Sequence, residues 1–341
     1  MKNNLSIVIP SHNRSELLVE ALRHWISIKN ANPDLEICVS DNTDNFNTYD
    51  RLRTDDSIWS SIKYKKAENA KMMDENFLSA VSMASNEYVW IFGDDDLPED
   101  DAFCCINKVI KEKSPGIIIV NSSSFSNNCI VEKSRHPTEA DIFFDQSQND
   151  EYLSELASYT TFISSVVVKK SLWDSVDKRK YVGSCLLHVG ALLDIKPKTT
   201  AYFISKPMVK LRVYSQTWTR QYFRIWQVDF PKIIWDNGAY TDKAKQTVVK
   251  KNPLKSIKSM SAVRAYGFFD RSIYLQYIHN NVNVPFINKM AVCLISMTPV
   301  FLMRALYKLL IAARIKKRHK HFSPEVALVW LNSKSWKSAG S

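Results

Sequence analysis

The chain has 341 residues, of which 45% are hydrophobic and 24% are charged, and its formal net charge is +11. This composition is that of a globular protein and excludes disordered and fibrous classes. The length predicts either one large α/β domain with an appendage or two domains. The charge is divided unevenly: residues 1–242 hold 28 basic and 33 acidic side chains, whereas residues 243–341 hold 18 basic and 2 acidic ones. A uniformly basic nucleic-acid-binding protein is therefore disfavoured.

The N-terminal segment and the cysteines both favour a cytoplasmic protein. The first residues lead directly into a strand-like segment without an apolar signal region. No charge-free apolar run reaches the ~18–20 residues that a transmembrane helix needs. The six cysteines lack CxxC spacing and several lie in apolar runs, which predicts buried thiols in a reducing cytosol rather than disulfides or a zinc site.

The first half of the chain alternates short β-rich segments with helical patterns, which is typical of a mostly parallel sheet covered by helices. Strands are predicted over Leu5–Ile9, Leu35–Ser40, Ile62–Lys65, Tyr88–Phe92 and Gly116–Asn121. Helices are predicted after Ser15, over Asn76–Val81 and over Asp101–Lys111.

The alternation of predicted strands and helices stops after residue 121. Residues 122–150 are rich in Ser, Asn, Asp and Gln, which predicts a long surface loop that faces the substrate. A strand is predicted over Thr161–Val168, and Ala201–Ser205 with Val209–Val213 resembles a hairpin around Pro207. From Trp218 onward the pattern is helical.

Polar residues follow each of the first four predicted strands. They are Pro10–Arg14, Asp41–Asp44, Glu68 with Asn69, and Gly93–Asp96. Because ligands of open parallel sheets bind beyond the carboxyl ends of the strands, these residues are the site candidates. No phosphate loop of the GxGxxG or GxxxxGK[ST] type is present, which disfavours a dinucleotide enzyme or a P-loop NTPase.

The run Asp94-Asp95-Asp96 is the sharpest of these features. Three carboxylates directly after an apolar strand repel one another, and burial there raises their pKa values. A divalent cation would relieve that repulsion, and Mg²⁺ or Mn²⁺ favours carboxylate, water and phosphate oxygens, so a metal–diphosphate is the natural ligand. The alternative is a solvated acidic loop that continues through Glu99, Asp100 and Asp101.

Several motifs resemble a known family. Ser6–Arg14, Val39–Asn42 and Trp90–Asp96 resemble the nucleotide-sugar-binding motifs of GT-A glycosyltransferases of family 2, over about residues 5–215. Within that family, Thr161–Lys170 and Tyr181–His188 are similar to bacterial O-antigen enzymes of the abequosyltransferase type. The resemblance implies a GT-A fold, a Rossmann-like, mostly parallel sheet with flanking helices.

The resemblance also implies roles for individual residues. Pro10, Asn13 and Arg14 would line the nucleotide pocket. Asp41 would accept a hydrogen bond from the base, and Asn69 would lie near the base or ribose.

The acidic triplet corresponds to the DXD region of the family, with a departure: the usual first Asp aligns with Gly93. The resemblance then implies Asp95 and Asp96 as ligands of Mg²⁺ or Mn²⁺ and Asp94 as a nucleotide-sugar contact. The shift of the motif leaves strict metal dependence open.

The catalytic base is the least defined assignment. The Glu-Asp pair that family members often carry is absent between residues 175 and 215. His188 lies where the subgroup has a His, and its ordinary pKa suits deprotonation of a sugar hydroxyl. The alternatives are a His packed on a helix face and Asp194 as the base. Arg212 and Arg220 follow in a segment suited to closing over a diphosphate, or they are ordinary loop and helix-start residues.

The basic end contains an amphipathic segment over residues 286–320. Residues 291–303 carry no charge, and a cluster of Lys and Arg follows residue 313. An apolar surface beside a basic cluster favours an interfacial helix on anionic lipid. The alternative is a helical appendage that packs on the core.

The sequence therefore predicts a GT-A catalytic domain over residues 1–215 and a helical, basic, membrane-associating region over residues 216–341. The predicted activity is transfer of a sugar, such as a deoxy- or dideoxyhexose, from a nucleotide-sugar donor to a polyprenyl-diphosphate-linked oligosaccharide. The expected location is peripheral, on the inner face of a bacterial plasma membrane, without a nucleic-acid partner. The alternatives are a catalytically impaired GT-A-like assembly module at the membrane and a nucleotidyltransferase.

Overall fold

The computed structural model describes residues 4–126, 129–213 and 221–314, with side chains as far as Leu309. The chain divides into two compact units. The first unit comprises Met1–Ser215 and Asn237–Ala244, and the second comprises Gln216–Asp236 and Lys245–Ser341.

The first unit combines a ten-stranded sheet with helices. The strands are β1 (Leu5–Ser11), β2 (Glu36–Asp41), β3 (Lys63–Lys66), β4 (Tyr88–Ile91), β5 (Leu97–Pro98), β6 (Ile117–Ser126), β7 (Cys129–Glu132), β8 (Ile142–Phe144), β9 (Val166–Lys169) and β10 (Ala201–Arg212). The helices are α1 (Ser15–Ala31), α2 (Asn47–Arg53), α3 (Asp56–Trp59), α4 (Met73–Ser82), α5 (Ala102–Lys113), α6 (Asn149–Leu156), α7 (Lys170–Asp174) and α8 (Leu187–Ile195).

The second unit is helical in its described part. Its helices are α9 (Tyr222–Arg224), α10 (Phe230–Asp236), α12 (Ile257–Tyr266), α13 (Arg271–Tyr274), α14 (Phe286–Met297) and α15 (Val300–Arg314), and α11 (Asp242–Val248) crosses the sequence boundary between the units. The predicted helical pattern of this region is confirmed from residue 221 onward.

The sheet has the strand order β3-β2-β1-β4-β9-β6-β10-β5. β1, β2, β3 and β4 are parallel, as predicted, but β9 is antiparallel to both β4 and β6. The expectation of a mostly parallel sheet is therefore only partly correct. β9 begins at the carboxyl end of β4, where Val166 pairs with Ile91. It therefore runs toward the amino end of β4, in the antiparallel direction.

The predicted hairpin around Pro207 is wrong. Residues 201–212 form one strand, β10, which pairs in parallel with β6 along its whole length. The register shifts on both sides of Pro207, because proline has no N–H to donate and is accommodated as an irregularity rather than a turn.

The predicted surface loop over residues 122–150 is also wrong in its first part. Ser122, Ser123 and Ser124 are buried in β6, where their hydroxyls do not prevent strand pairing. Later in the same stretch, β7 pairs with β6 and β8 pairs with β10. The polar composition concealed these strands because short polar side chains fit inside a sheet when neighbours bond them.

All six cysteines are free, in agreement with the absence of a disulfide pattern. The expectation of buried thiols holds for Cys38, but Cys104 and Cys129 are exposed.

Helix α1 packs on the centre of the sheet through aromatic contacts. Trp25 lies edge-to-face against Trp90 and Phe92, with ring centroids 5.2 and 5.0 Å apart. Leu18, Leu22 and Trp25 recur at helical spacing and are fully buried. This packing fixes the start of α1, and with it Arg14, beside the ends of β1 and β4.

The second unit has its own apolar core. It contains Phe223, Leu254, Met260, Val263, Phe268, Phe269, Tyr274, Ile278, Val284 and Val292. Among the described helices, none is by itself long and apolar enough to cross a membrane. α14 and the part of α15 up to Leu309 meet that test only as a pair, and they are bent by 105° at the break between them.

Glu36 is a buried carboxylate in β2 that ties three segments together. It accepts hydrogen bonds from Ser6, Lys63 and Ser85, including one from the Ser85 backbone N–H at 2.8 Å. Burial acts to raise the pKa of Glu36, but these hydrogen bonds, that from Lys63 first, outweigh it and lower the pKa to about 2.

We expect Glu36→Gln to destabilise the first unit by about 1–3 kcal/mol at pH 7, because it removes charge-assisted hydrogen bonds in a buried setting. Since the folded-state pKa is lowered, this stabilisation is complete above about pH 5 and is lost as the pH falls toward about 2. Urea unfolding of both proteins at pH 7, 5, 4 and 3 measures the difference. Glu87→Gln, which alters an exposed ion pair with Lys169, is the control and should change little. A gap that widened on acidification would contradict the assignment.

Candidate active site

The strand ends that carry the predicted site residues meet at one edge of the sheet. β1, β2, β3 and β4 are parallel neighbours, so their carboxyl ends share that edge. Ser11 at the end of β1 donates a hydrogen bond to Asp94 Oδ2 after β4, with an O–O distance of 2.7 Å. The backbone N–H of Asn42 after β2 donates to the Ser11 carbonyl at 3.1 Å. These contacts join residues that are 31 and 83 positions apart into one site.

Arg14 is the cation of this edge. Its Nη1 lies 3.1 Å from Asp94 Oδ1 and 2.8 Å from Asp95 Oδ2, so that one guanidinium group bridges two carboxylates. Burial acts to lower the pKa of Arg14, but the charges of Asp95 and Asp94 outweigh it and raise the pKa. The Arg14 side chain is therefore a fixed positive charge inside an acidic cluster.

Asp96 is held by a second set of donors. Its Oδ2 accepts a hydrogen bond from the Ser164 hydroxyl at 2.6 Å, and its Oδ1 accepts from the backbone N–H of Arg212 at 3.1 Å. The same Ser164 Oγ accepts from the backbone N–H of Gly93 at 2.8 Å. Arg212 also donates from Nε to the Asp95 carbonyl at 2.9 Å. The predicted residue Arg212 thus belongs to this site.

Gly93 explains the departure from the DXD pattern. A Cβ at this position would lie 2.8 Å from Asp96 Oδ2, 3.1 Å from Asp95 Oδ1 and 3.2 Å from Ser164 Oγ. The carboxylates fold over the backbone of Gly93, so an aspartate could not replace it without moving them.

The carboxylates of this cluster carry more negative charge than Arg14 neutralises. Burial first, and the charge of Asp95 second, raise the pKa of Asp94 to about 6. The same two causes raise the pKa of Asp96 well above its ordinary value. The site therefore favours the arrival of a positive charge, either a proton or a cation.

The residues fit a divalent cation only in part. Within the described residues no group of three or more His, Cys, Asp or Glu side chains is arranged to hold a metal. Both oxygens of Asp96 accept protein hydrogen bonds, and Arg14 spans Asp94 and Asp95. Asp95 is the most accessible carboxylate of the three, with 15% of its side chain exposed. A cation here would draw the rest of its ligands from outside the protein, such as phosphate oxygens and water.

Asp41 and its surroundings form the β2 side of the edge. Asp41 is fully buried; Tyr64 donates from its hydroxyl to Oδ2 at 2.7 Å and the backbone N–H of Thr43 donates to Oδ1 at 2.9 Å. Asn13 has a positive φ of 55°, and its backbone N–H donates to Thr43 Oγ1 at 2.9 Å. The loop after β1 is thereby fastened to the loop after β2.

The other predicted nucleotide residues lie along the same edge. Pro10 is buried within β1 opposite Ser40. Asn69 is exposed in the turn after β3, next to Ala70, whose carbonyl accepts a hydrogen bond from Asn42 at 3.0 Å. Arg220 lies outside the described residues.

His188 is buried at the start of α8. Its Nε2 is 3.4 Å from the Thr161 carbonyl, its ring lies edge-on to Phe77, and its Nδ1 has no hydrogen-bond partner among the described residues. Burial lowers the pKa of His188 to about 4, so the ring is neutral at physiological pH. Its two neighbours adjoin the site: Phe77 follows Asn76, which binds the Ser11 carbonyl, and Thr161 precedes Ser164 by three positions.

Asp194 lies at the other end of α8 with different partners. It accepts hydrogen bonds from Tyr181 at 3.0 Å and from Asn237 at 3.2 Å, and it pairs with Lys180 at 2.9 Å. These contacts lie along an open cleft that Lys198 and Asp177 also line.

Three residues of the site escaped prediction. Ser164 donates to Asp96 from within the Thr161–Lys170 motif, and Tyr64 is the hydroxyl partner of Asp41. Asn76 links the Ser11 carbonyl at 3.0 Å to Asn42 Oδ1 at 3.0 Å. The available signal was a polar side chain at an otherwise apolar position, such as Ser164 and Ser165 before Val166–Val168.

Comparisons with known proteins bear on the same region. A family model described as glycosyl transferase family 2 matches residues 6–168. The abequosyltransferase RfbV of Salmonella typhimurium is 29% identical over 227 residues, which are 61% of this chain and 66% of that protein, slightly less than two thirds of its length.

Solved structures resemble this chain in fold. S. aureus TarS 1-349 in complex with UDP superimposes with a TM-score of 0.50 at 12% identity, over 96% of this chain and 91% of that one. The crystal structure of S. aureus TarS gives the same TM-score over 95% of this chain and 55% of that one. At this identity the similarity concerns the fold alone, which agrees with the expected GT-A architecture.

We expect Asp96→Asn to raise the stability of the ligand-free protein at pH 8, by about 2–4 °C in melting temperature, because it removes a buried charge. Since the folded-state pKa of Asp96 is raised, the cost of its charge is absent under acidic conditions, grows as the pH rises above the ordinary carboxyl pKa, and is complete above the raised pKa. The gap between variant and parent should therefore shrink toward about pH 4. Thermal melts in chelator-containing buffer measure it, with the exposed Asp100→Asn as the matched control. A lower melting temperature for Asp96→Asn at pH 8 would refute this account of the cluster.

Proposed function

We propose that this chain is a glycosyltransferase of family 2, and that it transfers a hexose from a nucleotide-sugar donor to a hydroxyl group of a polyprenyl-diphosphate-linked oligosaccharide. The observation that carries the proposal is the cluster of Arg14, Asp94, Asp95 and Asp96 at the carboxyl edge of β1 and β4. The cluster presents fixed cationic and anionic groups where a nucleotide diphosphate binds in folds of this kind.

In the reaction, the acceptor oxygen forms a bond to the anomeric carbon of the donor sugar. The bond between that carbon and the diphosphate oxygen breaks, and the nucleoside diphosphate leaves with the electron pair. The proton of the acceptor hydroxyl passes to a base. Arg14 and Arg212 are suited to stabilising the negative charge that develops on the leaving diphosphate.

A divalent cation, Mg²⁺ or Mn²⁺, would neutralise the same diphosphate as a Lewis acid. Divalent cations are common in GT-A glycosyltransferases. Of the three carboxylates in the cluster, Asp95 is the first candidate ligand because it is the most accessible, and Asp96 is the second. The raised pKa values of Asp94 and Asp96 support the arrival of a cation, because they reflect uncompensated negative charge.

The proposed base is His188. It is neutral, as an acceptor of a proton must be, and its Nδ1 has no other partner among the described residues. Asp194 is the second candidate, although its carboxylate already accepts hydrogen bonds from Tyr181 and Asn237.

On the acceptor side, the proposal draws on the relative that is named an abequosyltransferase. By analogy, deoxy- and dideoxyhexoses are the first donors to test, in O-antigen or surface polysaccharide synthesis. A lipid-linked acceptor would place the enzyme at the inner face of the plasma membrane as a peripheral protein.

We expect one family of nucleotide sugars to stabilise the protein against heat, and more strongly with Mg²⁺ or Mn²⁺ than without. A thermal-shift panel of UDP-, GDP-, CDP- and dTDP-sugars measures this, followed by an assay of nucleoside diphosphate release from the responding donor.

Asp95→Asn should reduce turnover by at least about 100-fold, since it weakens contact with the transferring group. Asp100→Asn, four to six residues beyond the cluster, serves as the control. Unchanged turnover in Asp95→Asn would overturn the assignment of the site.

Replacing the base should separate the two candidates. We expect His188→Ala to lower turnover about 10²–10⁴-fold while the melting shift with donor persists, because a general base acts on the acceptor. Asp194→Asn should retain most activity if its role is to hold Tyr181 and Asn237. With a pKa of about 4, His188 should produce no loss of rate between pH 8 and about pH 6. If Asp194→Asn abolished turnover and His188→Ala did not, Asp194 would be the base.

A further inference from the structure

Helices α14 and α15 have an unusual surface. As far as Leu309, every exposed residue on them is apolar: Phe286, Ile287, Met290, Leu294, Met297, Phe301, Leu302, Ala305, Leu306 and Leu309. Phe286 and Ile287 are 75% and 79% exposed. We call these ten residues the apolar face. By contrast, the surface helix α5 exposes mainly Lys and Glu, as helices of the first unit must in water.

The apolar face is not the core-facing side of α14 and α15, because that side is already packed. Both helices already bury a different side against the second unit: Val292 belongs to its core, and Met303 packs on Ala265. Arg264 donates from Nε to the Thr298 carbonyl at 2.8 Å, and Arg304 donates from Nε to the Ala265 carbonyl at 3.1 Å. The helices are therefore apolar on two sides, and only one side has a protein partner among the described residues.

Several cations lie beside the apolar face. Lys289 lies within α14, Lys255 is held beside it by a hydrogen bond from Asn288, and Arg271 contacts Cys293. From residue 271 to residue 324 the sequence contains no Asp or Glu. A surface with apolar side chains ringed by Lys and Arg is complementary to a bilayer with anionic headgroups.

We propose that the apolar face inserts into an anionic phospholipid bilayer, with α14 and α15 lying along its surface. Over the described residues the helices have 12 and 15 residues, about 18 and 22 Å, which is less than the ~30 Å of a hydrocarbon core. The 105° bend between them prevents the two from forming one straight span. A second copy of the chain is the poorer occupant, because pairing two such faces would bring Lys and Arg together while residues 271–324 supply no carboxylate.

Vesicle binding tests this proposal without reference to catalysis. The full chain should sediment with vesicles of mixed phosphatidylglycerol and phosphatidylcholine, and much less with phosphatidylcholine alone or at high salt. Leu294→Glu with Leu306→Glu should weaken binding more than about 100-fold, because two inserting side chains become charged. Lys289→Gln and Lys255→Gln should each weaken it about five-fold.

The matched control is Ile130→Glu with Phe143→Glu. It makes the same kind of change at exposed apolar side chains of β7 and β8 in the first unit, and it should bind as the parent does. Because the substituted leucines are exposed, all variants should melt within a few degrees of the parent.

Anionic vesicles that fail to bind the parent chain, or that bind the leucine variant equally well, would overturn the proposal. A parent that dimerises in analytical ultracentrifugation, while the leucine variant is monomeric and neither binds lipid, would assign the face to a second copy. If the chain bound lipid only after residues 315–341 were removed, that segment would be the occupant of the apolar face.

Discussion

Three consecutive carboxylates, Asp94, Asp95 and Asp96, lie at the end of a buried strand, and the surrounding structure has to compensate their mutual repulsion. Arg14 neutralises one charge by bridging two of them, while Ser11, Ser164 and the backbone of Arg212 supply the remaining hydrogen bonds. Each donor comes from a different part of the chain. The cluster therefore constrains β1, β4, β9 and β10 to meet at one edge, and some of its negative charge stays uncompensated there.

The antiparallel strand β9 shows why this arrangement departs from a simple parallel sheet. A strand that followed β6 in parallel would deliver its start to the far edge, away from the carboxylates. Because β9 begins beside the carboxyl end of β4, the turn before it brings Ser164 to Gly93 and Asp96. The hydroxyl of Ser164 both accepts from one backbone group and donates to one carboxylate, so it orients the acidic cluster without contributing charge.

The sequence allowed the four parallel strands and their terminal residues to be predicted, because apolar segments end at Pro10, Asp41 and Gly93 in a regular pattern. It also predicted Arg14 and Arg212 as nucleotide-sugar contacts, and the structure places both beside the acidic triplet. The direction of β9 and the single strand β10 could not be predicted, since strand direction depends on pairing across long sequence separations and hydrophobic pattern is the same for both directions. For the same reason Ser164 and Tyr64 gained a role only from the fold. Buried serines such as Ser122–Ser124 were assigned to a loop because composition does not reveal which polar groups find partners.

The two units carry charges of opposite sign, and they place those charges in different surroundings. In the first unit, negative charge is concentrated at a buried edge, where low polarity strengthens its interaction with a cationic group and discourages water. In the second unit, positive charge lies on helices that also expose the apolar face, and that face has no protein cover among the described residues. Burial would make the cations costly and solvent makes the apolar side chains costly, so neither water nor a protein interior suits both. The proposed bilayer surface, with an apolar interior and anionic headgroups, would accommodate both the apolar side chains and the cations. The net charge of +11 is thus the sum of an acidic first unit and a basic second unit, and its sign comes from the second unit rather than from the unit that holds the carboxylate cluster.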